Sequence, residues 1–212
     1  MKRSLAISEQ AANAAEHANK LSRDTYIANH RPWVSVIPEI GGPLYYNENG
    51  LNITIRFHLK NTGNSPALNV FPYMELRAPA MGIDKAFNPE SILKDLIDSN
   101  KKNISLNFGL TLFPGELVTQ DMSASISKEE LTRITTNIKY ILPNIFVVVN
   151  YRFAFSDSES HQTAFILDMQ QLKYSNEKPP RLIPLSIFVE DGDIPPEKLL
   201  LEKTLIFGGH TD

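Results

Sequence analysis

The ten residues Leu51-Asn52-Ile53-Thr54-Ile55-Arg56-Phe57-His58-Leu59-Lys60 alternate strictly between apolar and polar side chains. Because successive side chains of a β-strand point to opposite faces, this run predicts a half-buried strand with its apolar residues inward. Residues 104–112 show the same alternation and predict a second strand of this kind. Its predicted inward residues are Ile104, Leu106, Phe108, Leu110 and Leu112.

Further strand-like segments follow Pro32, at 33–37, 68–77, 117–124, 145–155, 162–171, 183–190 and 199–207. The nearly continuous apolar run 145–155 is typical of a central strand, and Phe113-Pro114-Gly115-Glu116 predicts a turn. The strands do not alternate regularly with helices, which favours an antiparallel arrangement. We therefore predict a mainly β chain, with an immunoglobulin-like antiparallel β-sandwich over residues 31–212. Its predicted core includes Ile53, Ile55, Phe57, Leu106, Phe108 and Phe153.

Two short helical inserts are predicted within the β-rich region. The first begins at Asn88-Pro89-Glu90 and extends to about Asn100, because proline is favoured in the first turn of a helix. Its apolar side carries Ile92, Leu93, Leu96 and Ile97. The second begins at Ser127, with Glu130 three residues later, in the pattern of a capping box.

Residues 4–29 contain neither glycine nor proline and are rich in alanine. Apolar and small residues recur with alternating spacings of four and three, which predicts an amphipathic helix with a coiled-coil-like seam and a first domain over residues 1–30. Pro32 ends it. The seam consists of Ile7, Ala11, Ala14, Ala18, Leu21 and Thr25. Two partners stay open for the seam, namely the chain's own β-domain or another helix, in a homo-oligomer or in a helical protein partner.

Composition excludes several classes of function for these 212 residues. Twenty-one Lys and Arg oppose 24 Asp and Glu, for a net charge of −3, so we expect no nucleic-acid binding. The absence of cysteine excludes disulfides and thiolate chemistry. No signal peptide and no apolar run of membrane-spanning length is found. We expect a soluble protein whose compartment is undecided, with the cytoplasm favoured.

The chemistry-bearing residues do not form a recognisable catalytic or metal-binding pattern. None of the five histidines has metal-site spacing. Residues 156–161 supply serines, acids and His161, but without the elbow motif of a serine hydrolase. Residues 190–197 are acidic, but lack the pattern of a calcium loop. We therefore predict a non-enzyme without metal or cofactor, with a hydrolase kept as the least favoured alternative.

Aromatic residues supply the candidate recognition sites. Trp33, the only tryptophan, follows Pro32, and its ring is expected to plug the end of the sandwich. Alternatively Trp33, or Tyr45 with Tyr46, lines a site for a sugar or another small ligand. The segment 61–67, Asn-Thr-Gly-Asn-Ser-Pro-Ala, predicts a structural turn in which Gly63 takes a positive φ.

Three segments, in this order, resemble one family. They are Ile27-Ala28-Asn29-His30-Arg31-Pro32-Trp33-Val34-Ser35-Val36, then Leu59-Lys60-Asn61-Thr62-Gly63-Asn64-Ser65-Pro66-Ala67-Leu68-Asn69-Val70, then Tyr151-Arg152-Phe153-Ala154-Phe155-Ser156-Asp157 with His161-Gln162-Thr163-Ala164-Phe165. The family comprises uncharacterised bacterial and phage-borne proteins with membrane helices, a juxtamembrane helix and an immunoglobulin-like β-domain. The resemblance implies that fold. Under this resemblance, membrane association would require a partner or an anchor that is missing from the sequence. The family has no established activity that could be transferred.

These observations favour a non-catalytic interaction or assembly module. In it, the helix supports oligomerisation or partner docking and the β-sandwich supports recognition. The alternative is a sandwich that binds a small ligand or a carbohydrate.

Overall fold

The computed structural model describes residues 2–78, 87–103, 109–135, 140–153, 160–175, 178–183, 187–188 and 192–204. Within them the chain forms three α-helices and twelve strands. The helices are α1 (Lys2–His30), α2 (Pro89–Asn103) and α3 (Lys128–Thr135). The strands are β1 (Val34–Ile40), β2 (Tyr45–Asn47), β3 (Gly50–Asn61), β4 (Ala67–Arg77), β5 (Leu110–Leu112), β6 (Leu117–Ser127), β7 (Tyr140–Ile141), β8 (Asn144–Phe153), β9 (Ser160–Ser175), β10 (Lys178–Ile183), β11 (Ile187–Phe188) and β12 (Leu199–Lys203).

The first sheet is built around β3. Strands β1 and β2 pair with successive parts of one side of β3, and β6 pairs along its other side, all antiparallel. The alternation read from the sequence is confirmed, because Leu51, Ile53, Ile55, Phe57 and Leu59 are each fully buried. Their polar neighbours lie on the outer face of this sheet, where they are partly exposed.

The second sheet has the order β5, β4, β8, β9, and β9 also pairs with both β10 and β12. Its pairings are antiparallel as well, so the two packed sheets confirm the predicted β-sandwich. Strand β8 is central, as its apolar run predicts. Ile145, Val147 and Val149 belong to the core cluster shared with the first sheet, whereas Phe146 and Val148 face α2.

The two predicted inserts are helices, and sequence signals explain where they begin. Pro89 is the first residue of α2, whose Leu93, Leu96 and Ile97 are buried against the second sheet. The hydroxyl Oγ of Ser127 accepts a hydrogen bond from the Glu130 N–H at 3.2 Å, which confirms the predicted cap of α3.

The predicted strand 104–112 is partly wrong. Leu110 is 42% exposed although the alternation places it inward, whereas Leu112 is fully buried. Strand β5 begins only at Leu110, next to a register shift in β4, where Asn69 has a φ of 52° and lies against Gly109. The extra residue lies in β4, so Leu110 and Leu112 keep the same side of β5, and Leu110 is exposed as the first residue of a short edge strand. The predicted core residues Leu106 and Phe108 lie outside the described residues, whereas Phe153 is buried as predicted.

Candidate functional site

Helix α1 projects from the β-body as an arm. It has 29 residues, which corresponds to a length of about 43 Å. Every residue from 8 to 26 is exposed, around the whole circumference of the helix. Leu21 is 69% exposed, an unusual state for leucine in a folded protein. The arm therefore gains no stability from tertiary packing over this part of its length.

The predicted seam lies on this exposed arm. The side chains of Ala11, Ala14, Ala18, Leu21 and Thr25 are all exposed. The side chain of Ile7, the remaining member, is outside the described side chains. These seam residues are therefore not packed against the described part of the chain's own β-domain.

A buried asparagine fixes the joint between arm and body. Asn61 is fully buried, and its side chain uses its full hydrogen-bonding capacity. Its Oδ1 accepts from the N–H groups of Trp33 at 3.3 Å and Gly63 at 3.0 Å. Its Nδ2 donates to the carbonyls of Ser65 at 2.7 Å and Leu112 at 2.9 Å. One side chain thus connects the start of β1, the turn after β3, and β5.

The rest of the turn 61–67 holds the end of α1. Asn64 Nδ2 donates to the carbonyl of Asn29, in the last turn of the helix, at 3.1 Å. The predicted positive φ at Gly63 is wrong, because its φ lies outside that region. Glycine is needed there for close approach, since a Cβ would lie 2.5 Å from the Arg31 carbonyl oxygen and from the Trp33 nitrogen. The turn is structural, and it sets the direction of the arm.

The prediction that Trp33 plugs the end of the sandwich is wrong. The residue is 38% exposed, and the neighbouring Pro32 is buried instead. The guanidinium of Arg31 lies 3.7 Å from the centre of the indole ring, in cation–π geometry. This stacking occupies one face of the ring that a ligand would otherwise use.

The structure does not bring the candidate recognition residues together. The Trp33 carbonyl accepts from the Thr62 N–H, at one end of β3, whereas Tyr46 pairs with Leu51 near the other end. These positions are about 36 Å apart at roughly 3.3 Å per residue. Tyr45 and Tyr46 are partly buried, and the side chain of Asp193 accepts from the Tyr46 N–H at 3.2 Å. A single site formed by all three aromatic residues is therefore excluded.

A row of charged residues crosses the outer face of the first sheet. Arg56 on β3 donates two hydrogen bonds to Asp121 on β6, at 2.8 and 3.0 Å, and lies 3.7 Å from Glu39 on β1. These hydrogen bonds hold the pKa of the Asp121 carboxyl below its ordinary value. The row connects three strands with a bidentate ion pair, the strongest geometry for such a contact.

His58 lies beside this row, between a carboxylate and a hydroxyl. Its Nε2 is 3.3 Å from Glu39 Oε1, and its Nδ1 is 3.0 Å from Thr119 Oγ1. Hydroxyl, imidazole and carboxylate also make up hydrolase triads. Here Thr119 is exposed and Glu39 about half exposed on an open sheet face, where water competes for each hydrogen bond. The arrangement therefore fits structure and recognition better than nucleophilic attack.

Sequence reasoning did not identify these polar residues as a group. The polar half of the alternating run 51–60 shows that Arg56 and His58 share an outward face. Their partners Glu39, Thr119 and Asp121 come from two other strands, so only the strand register brings them together. Opposite charges at facing positions of candidate strand pairs are the sequence signal that could have identified these residues.

The polar segments weighed for catalysis or cation binding are only partly described. Of residues 156–161, only Ser160 and His161 are described, and His161 is buried, with its ring centre 5.8 Å from that of Tyr151. Burial raises the pKa of the Tyr151 hydroxyl. Residues 190–191 lie outside the described part. Within the described part, no group of three or more His, Asp or Glu side chains could hold a metal ion.

A shallow groove of about 440 Å³ separates the edges of the two sheets. Its walls are β1, with Pro38 and Ile40, and β12, with Leu199 and Leu201, and Glu39 and Glu197 stand at its rim. It lies near Tyr45 and Tyr46, because Ile40 and Tyr45 pair with positions only three residues apart on β3 and Leu44 bridges Ile194. It is lined by aliphatic side chains without the aromatic platform that sugar binding uses.

None of the helices in the described ranges combines the length and apolarity needed to cross a bilayer. Comparison of the chain with protein-family models, curated proteins and solved structures finds no match.

Proposed function

We propose that this protein is a non-catalytic assembly module, in which α1 of one chain pairs with α1 of a second copy and the β-body is presented for recognition. The observation that carries the proposal is the complete exposure of residues 8–26, which nevertheless carry a heptad seam. The proposal includes an immunoglobulin-like fold for the β-body and membership of the family that the sequence resembles.

The physical argument concerns the stability of the arm. Most of the stability of a protein helix comes from packing of its apolar side, and an isolated helix in water is only marginally stable. Residues 8–25 are exposed on all sides of α1, so the described part of the chain does not cover them. Pairing through the seam would cover Leu21, and alanines at Ala11, Ala14 and Ala18 would allow the two helix axes to approach closely.

A second copy of the same helix fits the seam electrostatically. The positions that flank the seam are 8, 15 and 22 on one side and 10, 17 and 24 on the other, and Asp24 is the one residue among them with a permanent charge. Glu9, Glu16 and Arg23 lie on the opposite side of the helix, away from the seam. Two copies can therefore meet without juxtaposing like charges.

The joint makes such pairing useful for assembly. Because Asn64 bonds the last turn of α1 and Asn61 bonds Trp33 just after it, the direction of the helix determines where the body lies. A pair of arms would consequently place two β-bodies in a defined relation rather than on flexible tethers. Their open faces would remain available to a further partner.

The test is light scattering on full-length protein over a dilution series. A seam variant with Ala11, Ala14 and Ala18 replaced by glutamate places three carboxylates per chain in the seam, and we expect it to form a smaller assembly than the wild type. A control variant has glutamate at Ala12, Asn13 and Asn19, on the other side of the helix, and changes the net charge equally. We expect the control to behave as the wild type does. Equal masses for the wild type and the seam variant would refute pairing through the seam.

A further inference from the structure

Strand β6 forms an unusually long and regular free edge of the first sheet. It pairs with β3 over all 11 of its residues, from Leu117 to Ser127, without a register shift. Its other side carries no hydrogen-bonded strand among the described residues. The side chains at 117, 119, 121, 123, 125 and 127 are exposed.

The register identifies the backbone groups at this edge. The Asn61 N–H donates to the Glu116 carbonyl, and the Lys128 N–H donates to the Asn49 carbonyl, at the two ends of the β3–β6 ladder. In an antiparallel ladder, bonded residues alternate along each strand, so the even-numbered residues of β6 bond to β3. The N–H and C=O groups of the odd-numbered residues, such as Ser123, therefore point away from the sheet.

Several other sheet edges carry features that hinder strand pairing, whereas Asp121 is the one charged residue in β6. Proteins protect exposed edges with proline, lysine, bulges or short strands. Strand β1 contains Pro38, and β10 contains Pro179 and Pro180. Strand β5 has three residues, and β12 has five, including Lys203. Strand β6 is 11 residues long and contains no proline, lysine, arginine or bulge. An edge of this kind is suited to pairing.

We propose that β6 pairs antiparallel with β6 of a second copy of this chain, about a two-fold axis at Met122. In this register Asp121 faces Ser123 of the second copy, Thr119 faces Ser125, and all 11 residues of each strand are included. Moving the axis by one residue to Asp121 would place two carboxylates opposite each other, which destabilises a strand pair. The axis at Met122 avoids this repulsion and joins the two first sheets into one continuous sheet.

The self-complementary sequence of β6 favours a second copy over an unrelated strand. On the inner face, the same axis places the partly buried Val118 opposite the buried Ile126 of the second copy and the partly buried Met122 opposite itself, so apolar side chains lie on one face of the junction. On the outer face it places Thr119 opposite Ser125, and Asp121 and Leu117 each opposite a serine. This interface uses no residue of α1, so it stands independently of the proposed pairing of the arms.

The experiment uses full-length protein with the seam variant as background, so that the arms do not contribute to assembly. Light scattering is expected to give twice the chain mass of 23.9 kDa for this background. A monomer at every concentration would overturn the β6 proposal. If the seam variant and the wild type are both dimers, the result would support pairing through β6 and refute the pairing of the arms.

Two substitutions at one exposed position test the register. In the dimer, Ser123→Asp would face Asp121 of the second copy at two symmetric contacts, and we expect dimer dissociation to increase roughly tenfold. Ser123→Lys would face the same carboxylate with the opposite charge, and we expect affinity to be kept or increased. Both variants lose the same hydrogen bond to Thr54. Ser125→Asp, which faces Thr119, is the matched control for charge. Equal effects of Asp and Lys at position 123 would refute the axis at Met122.

Discussion

The turn 61–67, which follows β3 and lies against the end of α1, depends on the Asn61 amide, and the Asn61→Asp variant tests this dependence. The aspartate side chain has nearly the same shape as asparagine, but its carboxylate only accepts hydrogen bonds. The two bonds accepted from Trp33 and Gly63 could persist. The bonds donated to the carbonyls of Ser65 and Leu112 would be lost.

The magnitude follows from burial. The Asn61 side chain is fully buried, so water does not readily replace the lost donors. Each buried carbonyl left without a partner costs about 1–3 kcal/mol, which gives about 2–6 kcal/mol for the pair. Burial of a negative charge in the Asn61→Asp variant adds to this cost. Small domains are stable by only about 5–15 kcal/mol, so we expect a large fraction of the stability to be lost.

The measurement is urea-induced unfolding, followed by circular dichroism, for wild type, Asn61→Asp and Asn64→Asp. Asn64 belongs to the same turn and undergoes the same chemical change, but it is exposed and donates one described bond, to Asn29. We expect Asn64→Asp to cost about 1 kcal/mol or less, including the unfavourable placement of a carboxylate near a helix C-terminus. If the two variants were equally stable, the Asn61 amide would not be what stabilises the turn.

Three further predictions concern the core, the joint and the charged row. Phe57→Ala is expected to lower the free energy of unfolding by about 3–5 kcal/mol, because the ring is fully buried, and urea unfolding would show it. Gly63→Ala is expected to lower Tm more than Gly115→Ala, since a Cβ at Gly63 meets backbone whereas Gly115, despite its φ of 79°, faces open space. Hydrogen bonds from Arg56 lower the pKa of Asp121, so their stabilisation is present above the unfolded pKa and is lost as pH falls through the folded one. Arg56→Gln should raise that pKa in an NMR titration, and an unchanged value would contradict the assignment.

The regular parts of the fold could be predicted because their sequence patterns are local. Alternation over 51–60 identified β3 and its buried face, and the apolar run 145–155 identified β8 as central. Absence of glycine and proline before Pro32 identified α1. Pattern reasoning failed at Leu110, which is exposed because it begins a short strand at the edge of the sheet. The position of a strand in a sheet depends on pairing with other strands, which the local sequence does not show.

The polar sites could be predicted less well, because their partners are distant in the chain. The turn 61–67 was recognised as structural, but nothing local shows that Asn61 reaches Trp33 and Leu112. Trp33 was expected to be buried because it is large and apolar, yet its stacking on Arg31 leaves it partly exposed. The seam of α1 was visible in the sequence. Its full exposure, which decides between internal packing and pairing, required the structure.

The two proposed interfaces together make a prediction about the size of the assembly. Pairing of α1 and pairing of β6 are both two-fold, and each uses a surface that the other leaves free. A chain with two different two-fold interfaces forms a closed assembly when the axes intersect at a suitable angle, a tetramer when they meet at right angles, and otherwise an open chain that grows with concentration. The turn 61–67 sets the direction of α1, because Asn64 Nδ2 donates to the Asn29 carbonyl in the last turn of the helix. Asn64→Asp removes this donor and should therefore broaden the mass distribution of the wild-type assembly, whereas Asn61→Asp, which loses bonds inside the body, should change it less where it is still folded. An unchanged, narrow distribution for Asn64→Asp would show that the assembly does not depend on the direction of the arm.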